Sequence, residues 1–223
     1  MGQTKGEAMT PNDLTTPDAA RFYLDQGFRA IPMWGVTPDG RCLCGGIDPR
    51  TRKPCNPGKH ALTDSEPWKD GLDHVPGDFS ASDNIAVALG PWNRPGWLAC
   101  LDFDGVPSRD HALTLSGLEL PETLEQRSPR GLHLFYRVPE FTPLGNWNDA
   151  LSTKRARDWA LDVRYARGKI NVAPSRSAHG AYQWLDWRDP AALPESVTER
   201  ILSERRRRGL PVLRRWEREG KLP

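Results

Sequence analysis

Apolar positions along the chain divide it into helical ends and a strand-rich middle. Residues 16–18 have the composition of a helix start, and Ala20, Tyr23 and Leu24 follow near helical spacing before Gly27. Helical spacing returns at 108–117 and 191–208. Short apolar runs of strand length occupy 28–33, 85–89, 97–104, 132–138, 159–164, 169–173 and 182–187. This order predicts an α+β fold in which helices flank a largely antiparallel sheet.

Two segments lack this periodicity and set the domain boundaries. Residues 1–15 are polar, which predicts a disordered N-terminal segment. Residues 34–83 are rich in Gly, Pro, Asp and Lys and contain three of the four cysteines, so we expect a metal to organise an insertion at about 40–62. We therefore predict one folded domain over 16–195. A basic helical tail or linker over 196–223 is expected to lead to a further domain.

The cysteines of this insertion have the composition of a zinc site. Cys42, Cys44, Cys55 and His60 supply three thiolates and one imidazole, a stable tetrahedral set for Zn²⁺. Such a site is closed to substrate, so we expect it to order the loop rather than to catalyse. Basic side chains of the loop would then approach a template backbone, unless they simply face solvent: Arg41, Arg50, Arg52, Lys53 and Lys59. Cys100 lies in an apolar run, where buried packing is expected.

The composition is that of a globular protein in water. The 223 residues are 37% hydrophobic and 27% charged, with a mean hydropathy of −0.65. No apolar run approaches the roughly 20 residues that span a bilayer, which excludes an integral membrane protein. The length excludes a disulfide-stapled miniprotein. The N-terminus has no apolar signal segment, so we expect a cytoplasmic protein with reduced thiols.

The net charge of +2 is unevenly distributed along the chain. Residues 197–223 carry nine Lys and Arg against four Glu, so the rest of the chain is net negative. Clustered arginine is typical of a nucleic-acid partner, because it releases counterions from phosphates. The alternative is a solvated helix or an interdomain linker.

The apolar run at 97–104 ends in an acidic pair, Asp102 and Asp104. Side chains alternate along a strand, so both carboxylates project to one face. Asp162 stands in the same kind of pattern, and the three carboxylates converge if the two strands are neighbours. Oxygen ligands suit Mg²⁺ or Mn²⁺, and two such ions serve phosphoryl or nucleotidyl transfer. The simpler alternative is that the acidic pair only ends a strand and caps the next turn.

Candidate phosphate donors precede and follow these acids. His133 enters the apolar run at 132–138 just after a glycine, where a ring nitrogen can donate to a phosphate oxygen. Ser128 and Arg130 add donors nearby, and Arg164 and Lys169 are further candidates. Taken alone, a histidine at the start of a strand is more often structural.

The order of these motifs resembles a known family. The motifs are Asp-Phe-Asp at 102–104, Gly-Leu-His at 131–133, an apolar residue and Asp at 161–162, Gly-Lys-Ile-Asn-Val-Ala-Pro-Ser at 168–175, and Tyr-Gln-Trp at 182–184. They are similar to the bifunctional DNA primase/polymerase N-terminal family, the prim-pol branch of the archaeo-eukaryotic primase superfamily of plasmid and phage replication proteins. The resemblance runs from about residue 19 to 187, and Pro-Gly-Lys-His at 57–60 also resembles an element of that family.

The resemblance implies an architecture and a set of roles. A modified RNA-recognition-like sheet would carry the acids, and the rest of the domain would contribute to template and nucleotide binding. Asp102, Asp104 and Asp162 would hold two Mg²⁺ or Mn²⁺ ions, and His133 would contact the phosphates of the incoming nucleotide. Arg130 stands where family members often have the first of two glycines, so it either adds a phosphate contact or reshapes the loop.

The implied activity is that of a template-dependent DNA primase/polymerase. Its partners would be nucleoside triphosphates, a single-stranded DNA template and a helicase domain in the same longer polypeptide. Two other classes stay open at this point. A metal-dependent nuclease would use the same carboxylates without a triphosphate site, and a non-catalytic, zinc-stabilised nucleic-acid-binding replication module would leave the acids without a role.

Overall fold

The computed structural model describes residues 10–48, 51–62, 78–139, 142–151 and 158–210. Within these ranges the helices are α1 (Thr16–Asp25), α2 (Arg109–Ser116) and α3 (Glu195–Arg207), preceded by a short 3-10 helix (Pro11–Asp13). The strands are β1 (Ala30–Met33), β2 (Asn84–Ala88), β3 (Gly90–Pro91), β4 (Trp97–Asp104), β5 (Leu124–Ser128), β6 (Gly131–Val138), β7 (Ala160–Arg164), β8 (Lys169–Val172), β9 (Arg176–Ser177), β10 (Gly180–Ala181), β11 (Gln183–Asp186) and β12 (Ala191–Ala192).

The strands of the described chain form two main sheets and a short ribbon. The larger sheet has the order β11-β5-β6-β4, and β3 and β7 share the other edge of β4. The smaller sheet is β1-β2-β8, and β9 and β10 form the ribbon. All pairings are antiparallel except that of β12 with β6. The predicted α+β fold with a largely antiparallel sheet is therefore confirmed.

Alternation along β4 assigns its side chains to two different cores. Leu101 and Phe103 pack with the helical layer, where α2 contributes Ala112 and α3 contributes Val197 and Ile201. The opposite face of β4 packs against the smaller sheet and α1, and this second core includes Leu98 and Cys100. Cys100 is fully buried there, as the sequence predicts. β4 therefore lies between two apolar layers over most of its length.

α2 begins and ends at the signals that the sequence predicts, whereas the cap of α1 is Thr15, just before the predicted helix start at 16–18. The hydroxyl of Thr15 accepts from the amide of Asp18 at the start of α1, and Ser108 accepts from the amide of His111 at the start of α2. Gly117 ends α2 in the left-handed conformation, which a residue without a side chain adopts at low cost.

Three segments differ from the sequence-based expectations. Residues 10–15, expected to be disordered, include the 3-10 helix, and the side chain of Asn12 exchanges two hydrogen bonds with the backbone of Trp184. β5 was not predicted, because its residues 124–128 contain a single apolar side chain. The last helix begins at Glu195 rather than at 191, because residues 191–192 pair with β6.

The basic segment after 195 also differs from the predicted tail. Val197 and Ile201 are buried in the core, so α3 packs on the larger sheet as part of the domain. Its arginines are largely occupied: Arg207 and Arg208 pair with Glu204, and buried Arg205 donates to a backbone carbonyl. The arginines of α3 are therefore better explained as the charged, solvent-facing side of a packed helix than as a cluster that binds phosphates. The remainder of the predicted tail, 211–223, lies outside the described residues.

Candidate active site

The site is built from residues that lie directly opposite one another on adjacent strands. In the register of the larger sheet, Asp102 of β4 faces His133 of β6 on one side and Asp162 of β7 on the other. Directly opposed residues point to the same face of a sheet, so the three side chains form a row. Asp104 follows two positions later on that face. The pairing of these strands therefore brings the three carboxylates and the histidine together, as the sequence predicts.

This row opens into a cleft because the apolar layer stops at Asp102. The preceding residues on the same face, Leu98 and Cys100, are fully buried under the smaller sheet. Asp102 and Asp104 lie beyond that cover, with 15% and 23% of their side chains exposed. The acids are thus held on a rigid strand and are still reachable from solvent.

Each acid lies beside one basic side chain. Nε2 of His133 is 3.3 Å from Oδ1 of Asp102, Nε of Arg130 is 3.9 Å from Oδ1 of Asp104, and Nη2 of Arg164 is 2.5 Å from Oδ2 of Asp162. Asp162 also accepts from the backbone amide of Asp149 at 2.8 Å. These contacts offset the repulsion among the carboxylates, and they place three positively charged or polar donors within the cleft.

The pKa values of Asp102 and Asp162 are shifted in opposite directions. Burial raises the pKa of Asp102, but the contact with His133 and the charges of Arg164 and Lys59 outweigh it, so the pKa is below its usual value. Burial also raises the pKa of Asp162, and the nearby charges of Asp102 and Asp104 add to that, so its pKa lies above the usual value. The fold therefore retains part of the like-charge repulsion at Asp162.

The three carboxylates fit a hard divalent cation. They supply only oxygen donors, from adjacent strands, and burial together with the charges of Asp102 and Asp104 raises the pKa of Asp162. A cation among them would offset these charges. Because Arg164 pairs with Asp162, a cation at Asp162 would compete with that guanidinium for the carboxylate.

A glycine is required at the first position of the Gly-Leu-His motif because there is no space for a side chain. Gly131 lies opposite Asp104 in the sheet, and a Cβ atom at this position would overlap the carbonyl oxygen of Phe103. A glycine is therefore needed for β6 to approach β4 at its entrance. The carbonyl of Arg130 accepts from the amide of Gly105, which fixes the preceding turn and the start of the Arg130 side chain.

Buried Gln126 of β5 fixes the tautomer of His133. The Oε1 atom of Gln126 accepts from the amide of Ala173, and its Nε2 atom donates to the carbonyl of Asn171, both at 2.9 Å. The backbone N–H of Ala173 can only donate and the carbonyl of Asn171 can only accept, so together they fix which end of the Gln126 amide is oxygen and which is nitrogen. The Nε2 atom of Gln126 also lies 2.9 Å from Nδ1 of His133. Because Gln126 Nε2 is a donor, Nδ1 of His133 must be the acceptor. The ring proton consequently lies on Nε2, the atom that faces Asp102.

The cleft has two lobes that meet at Asp102. One lobe, of about 380 Å³, is lined by all three acids and by Ser128, Arg130, His133 and Arg164. The other, of about 360 Å³, contains Lys169, whose Nζ donates to the carbonyl of Lys59 at 3.0 Å. The structure therefore brings every predicted catalytic and phosphate-binding residue to one cleft.

Three residues in or behind this cleft escaped sequence reasoning or were assigned elsewhere. Gln126, buried behind His133, lies in the unpredicted strand β5, and Tyr182 stood in a predicted strand and in the Tyr-Gln-Trp motif without an assigned role. The ring of Tyr182 lies 5.9 Å from that of His133, centre to centre, and lines both lobes. Lys59 was expected to face a template from the zinc loop, but it lines both lobes instead. The only signal for Lys59 was its place in Pro-Gly-Lys-His beside a candidate metal ligand.

The predicted zinc ligands form a compact cluster. The ligand atoms of Cys42, Cys44, Cys55 and His60 all lie within 4.8 Å of one another, and Sγ of Cys42 is 3.2 Å from Nε2 of His60. Three sulfurs and one imidazole nitrogen at such separations suit a tetrahedral Zn²⁺ ion. The cluster is on the loop between β1 and β2, apart from the three acids. Arg50 of the same loop lies outside the described residues.

The charges of the cysteines support a cation in this cluster. Burial raises the pKa of the Cys42 thiol, but hydrogen bonds from the backbone of Gly58 and Cys44 outweigh it, so the pKa is lowered. Burial and the neighbouring sulfurs raise the pKa of Cys55 to about 12. Ionisation of one thiol is thus favoured, and ionisation of a second is opposed by the charge of the first. A bound cation would remove this repulsion between thiolates.

Comparison with known proteins now identifies the family. A family model described as bifunctional DNA primase/polymerase, N-terminal, matches residues 20–196. The chain belongs to this family. The match begins in α1 and ends in α3, so the prim-pol model covers both sheets, the zinc-type cluster and the cleft. The comparison with curated proteins gives no match.

Prim-pol membership confirms the resemblance drawn from the motifs, and it supports primase/polymerase activity and binding to DNA and nucleotides. None of the helices in the described part of the chain has the length and apolar character needed to cross a bilayer.

Proposed function

We propose that the protein is a template-dependent nucleotidyltransferase, a DNA primase/polymerase that joins nucleoside triphosphates at the cleft around Asp102. The observation that carries the proposal is the row of Asp162, Asp102 and His133 on three adjacent strands, with Asp104 beside it. Metal-binding acids and a phosphate donor thereby share one cleft. Membership in the prim-pol family supports the same activity.

The acids would hold the two ions that this chemistry needs. Asp102, Asp104 and Asp162 are the proposed ligands for Mg²⁺ or Mn²⁺. Bound there, such ions would lower the pKa of an attacking 3′-hydroxyl and neutralise charge on the triphosphate. The chain itself contributes the rigid strands that set the spacing of the carboxylates.

The basic side chains would bind the phosphates. The Nε2–H group of His133 points toward the acids and can donate to a phosphate oxygen. Arg130 and Arg164 lie beside the acids and, in this proposal, exchange their carboxylate partners for phosphate oxygens when nucleotide and cations are present. Ser128 and Lys169 line the two lobes as further donors.

Calorimetry with ATP or dATP and Mn²⁺ tests this proposal against its alternatives. We expect triphosphate affinity that requires Mn²⁺ and is lost in Asp102→Asn. Asp189→Asn is the matched control, because Asp189 is exposed and pairs with Arg94 away from the cleft. Mn²⁺-dependent DNA cleavage without triphosphate affinity would instead establish the nuclease. Absence of Mn²⁺ binding would favour the non-catalytic binding module.

Several finer expectations stay predictions. A helicase domain, if present, would follow the segment beyond residue 210. We also expect a cytoplasmic protein that acts in plasmid or phage replication, with zinc as the ion of the cysteine cluster.

A further inference from the structure

We infer that Lys59 binds the polyphosphate of the incoming nucleotide, and that the cysteine cluster, when it holds zinc, keeps Lys59 in place. This inference rests on the proposed function and deepens it, since it assigns a further binding residue to the same cleft. It also gives the zinc loop a role in nucleotide affinity, beyond the purely structural role expected from its closed coordination.

Lys59 lies in the same cleft as the acids and the phosphate-binding candidates. Its side chain lines both lobes of the cleft, as do Asp102, His133 and Arg164. Lys53, on the same loop, is exposed and does not line either lobe. Lys59 is thus placed by the fold at the boundary between the lobes.

The two lobes of the cleft differ in charge. The lobe that contains Lys169 is lined by His133, by four lysine or arginine side chains and by one acid: Lys59, Arg164, Arg167, Lys169 and Asp102. The other lobe holds all three acids, and Lys59, Arg130 and Arg164 also line it. The carboxylates of that lobe can hold cations, and the excess of lysine and arginine in the first lobe suits an anion of several charges. A nucleoside triphosphate fills both requirements, because its phosphates bind metal ions on one side and basic groups on the other.

The backbone around Lys59 is held from two sides. The carbonyl of Gly58 accepts from Nδ2 of Asn171 at 2.7 Å and from Nδ2 of Asn84 at 3.2 Å, and the carbonyl of Lys59 accepts from Nζ of Lys169 at 3.0 Å. Gly58 has a φ of +74°, and a Cβ atom there would come within 2.6 Å of a backbone oxygen of the ribbon. These contacts tie one side of the segment to β2 and β8.

The cysteine cluster holds the other side. His60 is the next residue after Lys59, and its ring lies 3.2 Å from the sulfur of Cys42 and stacks on Trp34. The carbonyl of His60 also accepts from the amide of Trp34. Ligation of His60 would therefore fix the residue beside Lys59, so that loss of the metal frees one end of the segment.

The test measures nucleotide affinity in the full chain, without template, by calorimetry with Mn²⁺ and either ATP or inorganic triphosphate. We expect Lys59→Met to weaken both ligands about 10- to 100-fold, the worth of one charge-assisted hydrogen bond. Lys53→Met should leave both affinities unchanged. Zinc content measured on each variant shows that the cluster is intact in Lys59→Met.

The link to zinc is tested by removing the metal with a chelator and by Cys55→Ser. Either change should weaken wild-type affinity by a similar factor, but should have little further effect in Lys59→Met, because the contact is already absent. Circular dichroism checks that the sheets stay folded in each case.

The outcomes separate this inference from the proposed function. Failure of the wild-type protein to bind triphosphate overturns both. Wild-type binding with unchanged affinity in Lys59→Met overturns only the role of Lys59. Zinc removal that has no effect, or that weakens Lys59→Met as much as wild type, overturns the link between the cluster and Lys59.

Discussion

Replacing Gln126 tests the hydrogen-bond network that sets the state of His133. Gln126 is fully buried and makes three hydrogen bonds of 2.9 Å, to Ala173, Asn171 and His133. Gln126→Leu keeps the approximate size but removes all three. Gln126→Glu keeps the shape and the acceptor for Ala173, but presents an oxygen where the amide nitrogen stood.

The expected cost follows from the groups left without partners. Gln126→Leu strands one buried backbone N–H and one buried carbonyl, together with the ring nitrogen of His133. At about 1–3 kcal/mol for each of these three unsatisfied groups, the free energy of unfolding should fall by roughly 3–9 kcal/mol. In Gln126→Glu the new oxygen favours a proton on Nδ1 of His133, so the ring should donate there. Nucleotide affinity should fall in both variants.

Denaturant unfolding measures the stability, and ¹⁵N NMR of the imidazole at about pH 8 reports which nitrogen carries the proton. The wild type should show a bare Nδ1 and a protonated Nε2, and Gln126→Glu should shift the proton toward Nδ1. Gln183→Leu is the control, since Gln183 is exposed on β11 and should change stability by less than about 0.5 kcal/mol. A protonated Nδ1 in the wild type, or a loss below about 1 kcal/mol in Gln126→Leu, would refute the assigned network.

Other substitutions have expected outcomes of different sign. In metal-free protein at pH 7, Asp102→Asn should lower the free energy of unfolding by about 1–2 kcal/mol, because the lowered pKa of Asp102 means that the fold stabilises its charge. This loss should vanish as the pH falls through the pKa of Asp102 in the folded protein. Asp162→Asn should instead be neutral or stabilising at pH 7, because the pKa of Asp162 is raised, and a clear destabilisation would contradict this. Gly131→Ala should cost more than about 2 kcal/mol in thermal or denaturant unfolding, since the added methyl meets the β4 backbone. Arg205→Met should cost about 1–3 kcal/mol through its lost bond to the carbonyl of Leu144, and a change near zero would show that the bond is unimportant.

The acidic part of the site was predictable because it depends on strand periodicity. The alternation at 97–104 places Asp102 and Asp104 on one face, and the pattern around Asp162 does the same on a second strand. Only the pairing of those strands was unknown, and the register supplies it. Period-2 patterns in apolar strands carry this information locally.

The supporting residues were not predictable for a physical reason. Strand β5 buries Gln126 and Ser128 where apolar residues usually lie, and the amide of Gln126 is used by backbone and site partners rather than by solvent. No hydrophobic period marks such a strand. Lys59 escaped prediction because its position depends on contacts with Asn171 and Lys169, which are more than a hundred residues away in the sequence. Long-range contacts of this kind leave no local pattern.

Template-directed synthesis is the most direct test of the central claim. The protein is incubated with single-stranded DNA, Mn²⁺ and either ribonucleoside or deoxyribonucleoside triphosphates, and product length and released pyrophosphate are measured together. We expect wild-type protein and Asp189→Asn to lengthen products with one pyrophosphate per nucleotide joined, and Asp102→Asn to make none. A folded wild-type protein that binds Mn²⁺ and triphosphate but joins neither kind of nucleotide would contradict the assignment of this cleft to nucleotidyl transfer.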